Sequence, residues 1–195
     1  MTRARVLVAA LVLTIGGCGW KVTPPESGPP GSVRKVGSRV VLKFDEASVA
    51  WGGGHGGEIV RDALQKLGVF DEVAYPVEPR RPTPLRLTVV ATGNVDEEEA
   101  LGTVKAFVIG FFLFVPAGVI RFGKTFDLDA TVTFTDGDRE LRRFEVQTKT
   151  HVSHTMFSHS DQYEPVARRA AFEDLAHRIA VELGSLPAVP EAPEA

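Results

Sequence analysis

Cysteine is all but missing from this chain: Cys18 is the only one in 195 residues. A lone cysteine closes no intramolecular disulfide, and it cannot build a cysteine-rich zinc site. Long apolar runs are missing as well. The two longest, Val6–Ile15 and Ala106–Ile120, fall short of the about 20 residues a helix needs to span a bilayer. Positive charge is not in excess, with 22 Lys+Arg against 25 Asp+Glu. That balance excludes the electrostatic footprint of a general nucleic-acid binder. No Gly-x-Ser-x-Gly elbow occurs, and the glycine-rich stretch Trp51–Gly57 has no Gly-Lys-Ser/Thr ending. The sequence therefore offers no catalytic constellation, and the protein is read as a non-enzyme.

What is present begins at the N-terminus. Arg3 and Arg5 form a basic start, Val6–Ile15 an apolar run, and Gly16-Gly17 the small residues that precede a signal-peptidase cut. Residues 1–17 are expected to be a removable signal peptide. They carry two of the 22 basic residues and none of the 25 acidic ones, so the remaining 178 residues have a net charge of −5. Membrane contact must then come from lipid or apolar surface rather than from charge.

Ile15-Gly16-Gly17-Cys18 resembles the lipobox of bacterial lipoproteins, in which an aliphatic residue and two small ones precede the acylated cysteine. The resemblance implies a diacylglycerol on the Cys18 thiol and an acyl chain on its freed amine. Each buried methylene adds about 0.8 kcal/mol, and two or more chains anchor stably where one does not. In that family an aspartate after the cysteine favours inner-membrane retention. Gly19 therefore implies the outer membrane, with the domain at its periplasmic face. No cofactor is expected beyond the covalent lipid on Cys18.

Residues 18–38, with Pro24, Pro25, Pro29 and Pro30 among glycines and serines, read as a lipidated tether that buries no core. Its 20 residues after the cysteine could reach about 65 Å at about 3.3 Å each. Residues 39–184 read as a single domain, and 185–195 as a disordered tail. Strand alternation runs through Val40–Asp45, Val69–Tyr75, Leu85–Thr92 and, most cleanly, Phe126–Thr135. Asp136-Gly137 supplies a hairpin turn, and the return strand points Phe144, Val146 and Val152 inward. Ile59, Val60, Ala63, Leu64 and Leu67 form one helical stripe that Gly68 ends. Phe172, Leu175, Ala176, Ile179 and Leu183 form another, with Glu173, Asp174 and Arg178 toward water and Pro165 in the first turn. Trp51-Gly52-Gly53-Gly54-His55-Gly56-Gly57 between strand and helix reads as a flexible connection rather than a phosphate cradle.

These patterns predict an α+β fold: a mostly antiparallel sheet of about five strands, two helices on one face, and an apolar segment at 106–120. The layout, with Leu67-Gly68-Val69-Phe70-Asp71-Glu72-Val73 after the first helix, resembles small lipoproteins that assist bacterial envelope machines. It is also similar to the N-terminal module of the periplasmic Tol-system propeller protein. The resemblance implies an accessory or scaffold role with an envelope protein as partner.

Two further features carry alternatives. Phe107, Phe111, Phe112 and Phe114 lie in the 106–120 segment, which is either a core element dry on both sides or a part that leaves the domain to meet membrane or partner. The second case would suit a carrier of lipid or lipidated substrate. His151, His154 and His159, with Ser153, Ser158 and Ser160 beside them, are the candidates for a metal binder or His-dependent hydrolase. His151 and His154 point to opposite faces if the strand continues, and no cysteine completes a set, so no metal is expected. Asp127 and Asp129 share the wet face of a strand and are expected to be merely solvated.

Overall fold

The computed structural model describes residues 19–23, 33–77, 83–97, 99–111 and 120–186. The expected signal peptide, Cys18, Phe112, Phe114 and the end of the tail from 187 onward lie outside these, as does the side chain of Phe111. The described elements are β1 (Trp20–Thr23), β2 (Gly37–Val49), α1 (Gly56–Lys66), β3 (Phe70–Ala74), β4 (Leu85–Glu97), α2 (Glu99–Phe111), β5 (Arg121–Asp136), β6 (Arg139–Thr155) and α3 (Ser160–Gly184).

Among the described residues the six strands form one mixed sheet in the order β1-β6-β5-β4-β2-β3. The three pairings from β1 to β4 are antiparallel, and β2 runs parallel to both β4 and β3. The α+β expectation holds, with one strand and one helix more than foreseen. The added strand is β1. Its Trp20 pairs His154 and its Thr23 pairs His151, so the expected tether is corrected over these four residues. It is corrected again at Val36, which is buried and donates its amide to the Val69 carbonyl at 2.9 Å.

Alternation does what it predicts on β5. Phe126, Leu128, Ala130, Val132 and Phe134 are buried on the side facing α1 and α3, while Asp129 is exposed on the other. The turn at Gly137 has φ 58°, and the return strand buries Val146 and Val152, with Phe144 half-buried. Gly68 ends α1 at φ 72°, its amide bonded to the Gln65 carbonyl.

Helix α3 brings two corrections. It starts at Ser160, so Pro165 sits a turn inside rather than in the first turn, where its missing N–H leaves the Asp161 carbonyl without its helical bond. Asp174, expected in water, is only 5% exposed and accepts from Arg178 Nε at 2.7 Å. One helical turn's spacing lets the guanidinium follow its carboxylate to the edge of the core.

Candidate functional site

The glycine-rich turn after β2 is settled by its surroundings. A register irregularity in β2 between Asp45 and Ser48 turns the Glu46 carboxylate toward α1, where Oε2 accepts from the Gly56 amide at 3.0 Å. Gly52, Gly54 and Gly57 do keep the Gly-x-Gly-x-x-Gly spacing of a dinucleotide turn, and β2-α1-β3 is a parallel βαβ unit. Yet the positive end of α1 already holds an internal carboxylate, and that charge repels phosphate. The glycines serve packing instead. Gly53 has φ 73°, and a Cβ on Gly56 would run into Glu46 and the Phe172 ring. Trp51 is core: its ring meets Phe126 edge-on at 5.3 Å and tilts against Phe172 at 5.6 Å, while Nε1–H donates to the Asn94 carbonyl. His55 is exposed, 3.6 Å from Glu58.

The three candidate histidines do not converge. His151 faces outward, with Nδ1 3.3 Å from Thr125 Oγ1. His154 turns to the helix side, stacked between Phe122 at 5.8 Å and Tyr163 at 4.9 Å. His159 is the exposed residue that precedes α3. Among the described residues no three His, Cys, Asp or Glu side chains gather as a metal site would need. Asp127 meets Lys149 at 3.4 Å on the open face, an ion-pair contact that lacks hydrogen-bond geometry.

The residues that do come together lie at one rim of the sheet, where β1 begins, β6 ends and α3 starts. The Gly19 carbonyl is clasped there by two donors, Ser158 Oγ at 3.2 Å and Arg121 Nη1 at 3.4 Å. Ser158 Oγ in turn accepts the Thr155 amide at 3.2 Å. The serine that invited a hydrolase reading thus holds the N-terminal strand in place. Beside it Lys124 joins Glu164 at 2.8 Å and Glu97 at 3.2 Å, tying β5 to α3 and to the end of β4. Burial works against the Lys124 charge, and the hydrogen bonds it donates to Glu164 and Glu97 outweigh it, so the ammonium pKa is raised. Burial pushes the Tyr163 phenol up as well.

Helix α2 also leaves from this rim, because the chain exits the sheet after Glu97 and re-enters at Arg121. Lys105 Nζ lies 5.8 Å from the centre of the Phe122 ring. The apolar segment is neither wholly core nor wholly exposed over its described part. Ile109 is fully buried, whereas Phe107 is 73% exposed and Val104, just before the segment, 61%. No helix among the described residues is long and apolar enough to cross a membrane.

No family model and no curated protein matches the chain. Its fold is similar to solved structures of low identity. A minor lipoprotein from Acinetobacter baumannii has 13% identity and a TM-score of 0.47, over 76% of this chain and 93% of that one. A PelC dodecamer subunit from Paraburkholderia phytofirmans has 10% identity and a TM-score of 0.34, over 82% and 95%. Rare lipoprotein B from Shewanella oneidensis has 10% identity and a TM-score of 0.31, over 73% and 89%.

Proposed function

We infer that this protein is a cell-envelope lipoprotein, anchored through acyl chains on Cys18 at the periplasmic face of the outer membrane, that works as an accessory or scaffold rather than as an enzyme. The observation that carries the reading is Ile15-Gly16-Gly17-Cys18 behind a basic start and a short apolar run. The clasp on Gly19 supports it, since a chain whose next residue is fixed to the fold has its lipid attachment point fixed too. The separation of His151 and His154, and the Glu46 carboxylate already held at the start of α1, support the non-enzymatic reading. The partner is an envelope protein. The exposure of Phe107 favours a second reading, a lipid-binding role for the apolar segment.

Photo-crosslinking in the native envelope tests both. A scaffold gives discrete adducts with an envelope protein. Adducts to lipid alone, through positions around Phe107, favour the carrier. A Cys18→Ser chain that is still cleaved and still fractionates with the outer membrane contradicts the anchor on which both readings rest.

A further inference from the structure

We propose that the rim carrying Gly19 is itself a membrane-contact surface, with Trp20, Phe107, Met156 and Phe157 seated in the interfacial layer of the bilayer that holds Cys18. The proposal rests on the lipid-anchor reading and adds what the anchor alone does not specify: which end of the domain meets lipid, and that it rests on the surface instead of standing off.

Covalent geometry supplies the occupant. Cys18 is bonded to Gly19, so their Cα atoms are about 3.8 Å apart, and the Gly19 carbonyl is clasped by Arg121 and Ser158. Trp20 is already paired with His154 in the sheet. No free chain remains between the acylated residue and the fold, so acyl chains buried in the bilayer bring this rim to its surface. The side chains found there suit that position. Trp20 is 36% exposed, and Met156 and Phe157, in the turn that leads into α3, are 47% and 53% exposed. Ser158 of the same turn is the residue that bonds Gly19.

Helix α2, which starts from the rim after Glu97, adds the exposed Phe107 and Val104 one turn apart. An aromatic residue with a polar edge such as tryptophan is most stable at the level of the headgroups, and exposed phenylalanine and methionine gain by leaving water there. Lys21 and Arg121, both exposed, add positive charge near Gly19, and such cations favour an anionic lipid surface.

The test uses the full protein purified from membranes and reconstituted in phosphatidylethanolamine–phosphatidylglycerol vesicles, with ordinary or brominated acyl chains. The chain has two tryptophans, and Trp51 is buried in the core, so Trp20 is the one bromine can reach. The expected result is strong loss of emission in brominated vesicles, abolished in Trp20→Phe. It should also be reversed in a Phe107→Asp, Met156→Asp, Phe157→Asp chain that still melts cooperatively. If that triple variant does not fold, the Trp20→Phe comparison decides alone.

The intact mass of each sample is read alongside. An acylated protein whose emission is the same in both vesicles overturns the rim proposal and leaves the anchor standing. An unacylated protein that still binds and is quenched upholds the rim and removes the anchor. An unacylated, unquenched protein removes both.

Discussion

At the scale of single residues, charge and burial are settled by neighbours that sequence spacing does not reveal. Lys124 has its pKa raised, since the burial that lowers it is outweighed by the hydrogen bonds it donates to Glu164 and Glu97. The phenols of Tyr75 and Tyr163 are raised by burial first, with nearby Glu46 adding to Tyr75 and Glu164 to Tyr163. Each group binds its proton more tightly folded than unfolded. Its contribution to stability is therefore complete below the unfolded pKa and lost as pH climbs through the folded one. The melting temperature should fall as pH rises past about 10, where tyrosine and lysine ordinarily titrate. A profile that stays flat or rises there contradicts the assignment. Ser158 illustrates what a sequence hides: in the chain it is one hydroxyl among several near histidines, and only the fold brings Gly19 within its reach. Asp174 is similar, placed toward water by helical spacing and found buried because Arg178 accompanies it inward.

At the scale of elements, legibility followed length and contrast. The long alternating run of β5, its Gly137 turn and the apolar stripes of α1 and α3 were readable because each has one wet and one dry side over many residues. Strand β1 was not. Its four residues sit beside Pro24 and Pro25, and its partner β6 lies far along the chain, so nothing local distinguishes it from a linker. The parallel neighbours of β2 were equally hidden, because alternation marks a strand but not its partner. Helix α2 was legible only as an apolar segment, since a run without polar contrast does not say which side is dry. The structure divides it at single residues, and substitution should divide it the same way. Phe107→Asp is expected to shift stability by no more than about 0.5 kcal/mol, as at other exposed sites. Ile109→Asp places a carboxylate at a fully buried position and should lower the melting temperature clearly. Thermal melts of the two variants check this, and a reversed order would show that the helix packs by its other side.

At the scale of the whole molecule, the fold has two unlike ends. One gathers Gly19, the start of α2, the turn at Met156–Phe157 and the start of α3. The other holds the β5–β6 hairpin and the end of α3. The 16 residues of β5 can carry the hairpin tip up to about 50 Å from the rim that holds Gly19, at about 3.3 Å per residue. Length is thus built into the sheet, whereas the sequence placed it in a tether of which Trp20–Thr23 are a strand paired with β6. All of this depends on Cys18 being the lipid-bearing first residue of the mature protein. The most direct measurement is the intact mass of the protein extracted from its own membranes. The expected result is a chain that begins at Cys18 and carries the mass of a diacylglycerol and an amide-linked acyl chain. An unmodified cysteine, or a mature chain that begins well past residue 18, would contradict it.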